Sequence, residues 1–150
     1  SGHASYTHGY RAGGHSVGPS SQQTSKIEKW AFASDGDSVE VADLFRGIDT
    51  GISGASSITH GYMLGGSSGA GQNEIDKFPF SSGSTSTDVG NLHTGESYAS
   101  GTSSLVAGYM AGGGHPQINN IQKITFDTGT VAEDVGNIGS AKAYVAGFHD

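Results

Sequence analysis

Histidine is the side chain of this sequence best suited to bind a metal, and two of the seven histidines recur at equivalent positions. His8 and His60 each precede a Gly-Tyr pair, whereas Ala107 precedes the third such pair. A zinc site of imidazoles is chemically feasible. Because the third copy breaks the pattern, we predict no metal and no cofactor. We interpret both histidines as hydrogen-bonded within their own repeats.

Other catalytic motifs are missing from the sequence. No nucleophile elbow or Ser-His-Asp order is present, and the glycines at 112–114 lack the Lys-Ser/Thr of a phosphate loop. Cysteine is absent, which excludes disulfides and thiolate ligands. The net charge of −7, without a basic run, argues against nucleic acid and anionic membranes as partners. No apolar stretch reaches the 18 or so residues of a membrane span. We therefore predict a non-enzymatic protein.

The chain contains three copies of one repeat of 46 to 52 residues, each marked by four short motifs. The first motif is Gly-Tyr-x-x-Gly-Gly, and the second is Ile-x-Lys-apolar-x-Phe. The third is Val-x-x-Leu/Ile, and the fourth is a run of small residues around a glycine. The first three begin at residues 9, 61 and 108, at 27, 75 and 121, and at 41, 89 and 135; the small-residue runs surround Gly54, Gly101 and Gly147. Such periods are typical of solenoids and propellers.

Each motif has the character of a β-strand. Trp30 and Phe32, like their counterparts in the other copies, alternate with period two. The motif Lys lies 15 residues before the last apolar residue of the third motif in every copy, as from Lys29 to Leu44, which predicts a fixed hairpin. The connection after Gly-Gly varies in length and predicts a surface loop. The sequence therefore predicts an all-β fold with four short strands per repeat, as in a propeller blade.

The repeats resemble kelch repeats, in which an apolar strand ending in Gly-Gly is followed by a loop, an aromatic strand, a turn and an outer strand. Residues 108–113, Gly-Tyr-Met-Ala-Gly-Gly, followed by residues 120–126, Asn-Ile-Gln-Lys-Ile-Thr-Phe, show the likeness well. Two kelch features, the outer-strand Trp and the Arg that opens the inner strand, are missing. The repeats also resemble Gly-Tyr-x-x-Gly-Gly repeats of phage and viral proteins.

The resemblance implies a strand order within each blade. The small-residue runs at 51–57, 98–104 and 144–150 become the innermost strands, and the third motif becomes the outermost. Blades are expected at 6–44, 48–92 and 95–138, with a final inner strand at 141–150. In this interpretation the first blade lacks an inner strand of its own.

This offset predicts an assembly. Three blades do not close a ring, because propellers usually have four to eight. We predict that two chains form one six-bladed ring, a homodimer in which residues 141–150 of each chain complete the first blade of the other. The alternative is a fragment of a longer chain that holds all its blades.

The variable loops are the predicted binding site. The kelch likeness implies that the loops at 15–25, 67–74 and 114–119 share one face, here called the loop face, with those at 45–50, 93–96 and 139–142. Their polar, uncharged character suits hydrogen bonding to a glycan or a protein partner. Alternatives are a kelch-type enzyme acting on sugars and a viral or surface scaffold without a small ligand. The candidate ligand-binding residues are His15, Gln22, Gln23, Phe45, Arg46, Gln72, Asn73, His93, His115, Gln117, Asn119 and Lys142.

Overall fold

A computed structural model describes residues 1–16, 22–47, 50–67, 72–114, 116–128 and 131–147. These residues form three four-stranded antiparallel sheets and one two-stranded hairpin, and they contain no helix, so none that could cross a membrane. The prediction of an all-β fold is confirmed. The strands are β1 (Gly2–Ala4), β2 (His8–Ala12), β3 (His15–Ser16), β4 (Gln22–Gln23), β5 (Lys26–Ala31), β6 (Val39–Asp43), β7 (Ser53–Ser56), β8 (His60–Leu64), β9 (Gln72–Pro79), β10 (Thr87–Glu96), β11 (Ser100–Ser103), β12 (Ala107–Ala111), β13 (Asn120–Thr125) and β14 (Glu133–Asn137).

Each sheet is a simple meander whose strands follow one another in sequence order. Sheet 1 is β1-β2-β5-β6, sheet 2 is β7-β8-β9-β10 and sheet 3 is β11-β12-β13-β14. The β3-β4 hairpin lies in the connection between β2 and β5. The predicted order, from the small-residue strand to the Val-x-x-Leu/Ile strand, matches these sheets. The three repeated sheets give the chain a propeller-like architecture.

The Gly-Gly pairs end the second strand of every sheet because their backbone is left-handed. Gly13, Gly65 and Gly112 have φ of 65°, 62° and 67°, and the glycines that follow have φ between 116° and 140°. Side chains with a Cβ rarely adopt such angles. The pair therefore turns the chain out of the sheet and into the loop face.

The hydrophobic core lies between adjacent sheets. At the joint between sheets 1 and 2, Tyr10 and Ile27 of sheet 1 pack with Met63 and Phe78 of sheet 2. A larger cluster fills the joint between sheets 2 and 3 and includes Tyr62, Ile75, Met110 and Ile124. Along the third strand of each sheet, odd-numbered residues face the following sheet and even-numbered residues face the preceding one, as the period of two requires.

The first strands of the three sheets lie side by side, which explains their small residues. A Cβ on Gly54 would lie 2.5 Å from the carbonyl oxygen of Gly2, and a Cβ on Gly101 would overlap the carbonyl oxygen of Gly54. The same relation links Gly147 to the carbonyl oxygen of Gly101. Only glycine permits this approach, and it recurs at each step from sheet to sheet.

The structure corrects the expectation for the first blade. Sheet 1 has its own first strand, since β1 pairs with β2 through Gly2, His3 and Ala4. The expectation that the first blade lacks an inner strand of its own is therefore wrong. His3 explains why β1 stays in place: its ring nitrogen Nδ1 lies 3.1 Å from the Ala55 carbonyl oxygen, and its ring meets Phe78 edge-on.

The C-terminal segment occupies the position of a fourth inner strand. The Tyr144 amide donates to the Tyr98 carbonyl at 2.8 Å, as the Tyr98 amide donates to Gly51 at 2.9 Å. Tyr98 and Tyr144 share a φ of 58°, close to the 70° of Gly51. Residues 144–147 thus lie against β11 in the way that β11 lies against β7. Residues 148–150 of the predicted strand lie outside the described residues.

Candidate functional site

The two predicted sets of loops do share one face, and backbone hydrogen bonds join them. The Ser67 amide donates to the Thr50 carbonyl, and the Gly114 amide donates to the Ser97 carbonyl, both at 2.9 Å. Thr50 and Ser97 belong to connections between sheets, whereas Ser67 and Gly114 follow the Gly-Gly pairs. The loop face is therefore held by main-chain bonds at each joint.

The first group of candidate residues lies where sheets 1 and 2 meet. Phe45 is 69% exposed after the end of β6, and its amide donates to the Ser86 hydroxyl. Gln23 and Asn73 are exposed, whereas Gln72 is half-buried. A Cβ on Gly47 would lie 3.5 Å from the Gln23 side-chain oxygen, which places Gln23 beside the loop that carries Phe45.

Arg46 forms an ion pair across the joint. Its guanidinium lies 2.7 Å from the Glu74 carboxylate and 3.0 Å from that of Asp76. Asp76 is fully buried; burial raises the pKa of its carboxyl, and the charge of Arg46 offsets part of that effect. Of the candidate ligand residues, Arg46 thus has a structural partner in the next sheet.

The equivalent position in the next joint carries a neutral version of the same contact. Thr94 corresponds to Arg46, and Gln122 corresponds to Asp76. The buried Gln122 side chain donates to the Thr94 hydroxyl and carbonyl and accepts from the Thr94 amide. Asn120 also donates to the Thr94 hydroxyl. At the joint between sheets 1 and 2, a guanidinium therefore faces carboxylates. At the joint between sheets 2 and 3, a hydroxyl faces side-chain amides.

The structure brings together a second group of candidates near the C terminus. The Lys142 amide donates to the Ile118 carbonyl at 3.1 Å, so Lys142 lies beside Gln117 and Asn119. All three of these candidate side chains are exposed. His93 is exposed too, but it lies in β10, so the connection predicted at 93–96 is instead the end of that strand. These residues, unlike Arg46, present their side chains to solvent.

The remaining loop candidates, His15, Gln22 and His115, follow the first and third Gly-Gly pairs. His15 pairs with Gln23 in the β3-β4 hairpin, and Gln22 pairs there with Ser16. His15 is exposed. His115 lies outside the described residues.

His8 and His60 begin the equivalent strands β2 and β8 of separate sheets. Each ring nitrogen Nδ1 is 2.8 Å from the hydroxyl of the preceding threonine, Thr7 or Thr59. Burial lowers the pKa of His60, and Lys77 lowers it further. No group of three or more His, Asp or Glu side chains that could hold a metal occurs within the described ranges. Both histidines have hydrogen-bond partners in their own repeats.

Sequence reasoning missed a buried carboxyl group behind the loop face. Glu96 is 3% exposed, and its Oε2 atom has no hydrogen-bond partner. This oxygen lies against Gly113, where a Cβ would come within 2.6 Å of it. Burial raises the Glu96 pKa to about 7. No repeated signal marks Glu96, because the equivalent position of the last repeat holds Lys142 and the connection before β7 is one residue longer.

A second surface missed from the sequence lies on the face opposite the loops. An open cavity of about 590 Å³ is lined by the turns after β1, β7 and β11, including Tyr6, Ile58 and Leu105. Serine hydroxyls of these turns already form hydrogen bonds within the turn. The Ser5 hydroxyl, for example, accepts a hydrogen bond from the His8 amide at 3.1 Å. The cavity combines exposed apolar side chains with hydroxyls that stabilise the turns.

Comparison with known proteins identifies the fold. No protein-family model matches the chain, and no curated protein sequence matches it. Solved structures match at the level of fold, among them the structure of YjhT, with a TM-score of 0.75 over 95% of this chain. The two sequences are 11% identical, so the likeness concerns the fold alone. The chain covers 52% of YjhT and thus spans about half of its length.

Proposed function

We propose that this chain is a non-enzymatic, kelch-like β-propeller module that binds a protein or glycan partner at its loop face. The observation that carries the proposal is the row of exposed hydrogen-bonding side chains, contributed by all three repeats, on loops and adjoining strand ends at the loop face. Gln23, Asn73 and Gln117 are exposed examples from the first, second and third repeats. Such pre-ordered polar groups lose little conformational entropy on binding.

The chemistry of the loop face favours a neutral, polar ligand. Amide and imidazole side chains both donate and accept hydrogen bonds, as sugar hydroxyls and peptide groups require. Phe45 offers an exposed aromatic surface on the same face. The net charge of −7 disfavours polyanionic ligands.

We further propose that two copies complete one six-bladed ring. Three sheets leave one sheet face open at each end of the row, and the chain spans about half of the matched YjhT chain. Docking of a second copy would bring its β1 to the position held by residues 144–147. Among the described residues, no second strand pairs with that segment, whereas β1 pairs with β2, so we expect β1 of the second copy to displace the segment.

Strand exchange is the alternative form of this ring. Residues 144–147 already lie against β11 at the inner-strand position, and they would replace the partner's β1. Two deletions distinguish the forms. Removal of residues 144–150 abolishes the dimer in the exchanged form and leaves it intact or tighter in the docked form. Removal of residues 1–4 abolishes the dimer in the docked form and leaves it intact or tighter in the exchanged form.

A glycan array and an array of unmodified peptides test the binding proposal. We expect specific binding by the chain that is lost in a triple variant, Asn73→Ala, His93→Ala and Gln117→Ala. The control is Asp35→Asn, an exposed change in the turn between β5 and β6. Absence of binding on both arrays, or equal binding by the triple variant, would contradict a ligand at the loop face.

A further inference from the structure

The two joints within the chain share one pattern of aromatic contact. Tyr10 of sheet 1 stacks on Phe80 of sheet 2, with ring centroids 4.6 Å apart and an interplanar angle of 20°. Tyr62 of sheet 2 stacks on Phe126 of sheet 3 at 4.7 Å and 24°. The tyrosine always comes from the earlier sheet and the phenylalanine from the later one. Each sheet therefore presents a tyrosine to the sheet that follows it and a phenylalanine to the sheet that precedes it.

Sheet 3 exposes the tyrosine side of this pattern. Tyr109, Ala111 and Ile121 occupy the positions of Tyr62, Leu64 and Ile75. The residues of sheet 2 are at most 4% exposed, whereas the three of sheet 3 are only half-buried. Sheet 3 thus presents an apolar surface shaped for a following sheet.

Sheet 1 exposes the phenylalanine side. Phe32 corresponds to Phe80 and Phe126, and it is 56% exposed. Trp30 corresponds to Phe78, but it is 39% exposed where Phe78 is 1% exposed. Sheet 1 thus presents an aromatic surface that no preceding sheet covers among the described residues.

We infer that these two surfaces bind one another between copies of this chain, with Tyr109 of one copy stacked on Phe32 and beside Trp30 of the next. The inference rests on the two-copy ring proposed above and identifies its interface. A head-to-tail contact closes when the rotation at each step returns to the start. Two such contacts close six sheets into a ring and leave neither surface exposed.

The polar residues at the proposed interface are compatible with this contact. Ser140 corresponds to Arg46 and Thr94, and it would meet Lys26 and Glu28 of the other copy. Both of those charges are already paired within sheet 1. The Glu28 carboxylate lies 2.6 Å from the Arg11 guanidinium, and the Lys26 amino group lies 2.7 Å from the Glu40 carboxylate. The contact therefore buries no unpaired charge, which would be costly.

The outer edge of the joint supplies a site for a cross-link. Between sheets 2 and 3, Asn91 forms a parallel β-bridge with Val131, and its carbonyl accepts from Ala132. The corresponding residues of the proposed interface are Asn137 in one copy and Asp37 in the next. Bridge partners fall within the 4.4–6.8 Å or so between Cα atoms that a disulfide spans. The chain has no native cysteine to interfere.

The first experiment uses Trp30, the one tryptophan of the chain, as a reporter of the interface. Its emission is expected to shift to shorter wavelength as the protein concentration rises, because the half-exposed ring becomes buried. Tyr109→Ala should raise the dissociation constant roughly 30-fold or more, as for an interface hot spot. The matched control is Tyr6→Ala, because Tyr6 is 79% exposed on the opposite face and should leave the constant unchanged.

The second experiment does not depend on truncating a packed side chain. Mixing Asp37→Cys with Asn137→Cys under oxidation should give a covalent dimer, whereas each variant alone should stay largely uncross-linked. A dimer that fails to cross-link and tolerates Tyr109→Ala would overturn this interface, because the two copies would then associate through another surface. A chain that stays monomeric at every concentration would overturn both. Ready cross-linking of Asp37→Cys to itself would show a face-to-face contact and overturn the interface.

Discussion

The carboxyl group of Glu96 should make the protein less stable as the pH rises towards neutrality. The ordinary glutamate pKa is 4.5, and burial without a hydrogen-bond partner for Oε2 raises it to about 7 in the folded chain. Between these values the folded state holds a proton that the unfolded state has released. The free energy of unfolding contributed by this group is therefore highest below about pH 4.5, falls through the window up to about pH 7, and then levels off.

The size of the effect follows from the two pKa values. A difference from 4.5 to about 7 corresponds to at most about 3 kcal/mol between the charge states. Glu96→Gln removes the ionisation while keeping the shape. We expect this variant to match the parent at pH 4.5 and to be about 1–3 kcal/mol more stable at pH 8. At roughly 2–4 °C per kcal/mol for a domain of this size, the melting temperature should rise by several degrees.

Urea unfolding from pH 4 to pH 8, at one protein concentration, measures this prediction. The Ser1 amino group, whose pKa is lowered to about 6 by burial and by Arg11, acts in the opposite direction, so the parent curve alone is not diagnostic. The difference between parent and variant isolates Glu96. Glu133→Gln, at an exposed glutamate, is the matched control. A Glu96→Gln variant that is less stable at pH 8, or that keeps the parent's slope, would refute the reasoning.

Three further predictions concern the joints and the inner strands. Arg46→Ala should lower the free energy of unfolding by about 3–5 kcal/mol, because it leaves Asp76 buried without its partner. Arg46→Thr combined with Asp76→Gln, which copies the joint between sheets 2 and 3, should recover most of that loss. Urea unfolding that shows no recovery in the double variant would contradict the pairing. Gly101→Ala should destabilise the fold by more than 2 kcal/mol or so through overlap with a neighbouring carbonyl, whereas Gly36→Ala, with open space around it, should stay within about 0.5 kcal/mol in the same assay. Deletion of residues 144–150 should leave the sedimentation coefficient of the docked dimer unchanged, and a monomer would instead support strand exchange.

The repeat determined much of the fold because its signals are local. Gly-Gly pairs need left-handed backbone, and alternating aromatics need a strand with two different faces, so both features are visible in a short stretch of sequence. The same locality explains the error at the N terminus. Ser1-Gly2 corresponds to Ser53-Gly54 and Ser100-Gly101, but a pair of small residues is too short a motif to identify a strand. His3 also departs from the small residue that β7 has at the equivalent position.

The joints were harder to predict than the sheets, because they depend on contacts between distant repeats. Arg46 lies on a predicted binding loop, yet its partners Glu74 and Asp76 belong to the next sheet. Only the register between sheets reveals that the charged set at one joint corresponds to Thr94 and its amides at the next. Glu96 is likewise buried by a neighbouring Gly-Gly turn and not by its own strand.

The two-copy ring is tested most directly by native mass spectrometry of the unmodified 150-residue chain across a range of concentrations. The ring predicts a species of twice the chain mass of 15.2 kDa that accumulates as concentration rises and does not extend to larger assemblies. A chain that remains at 15.2 kDa, or that forms a trimer, would contradict it.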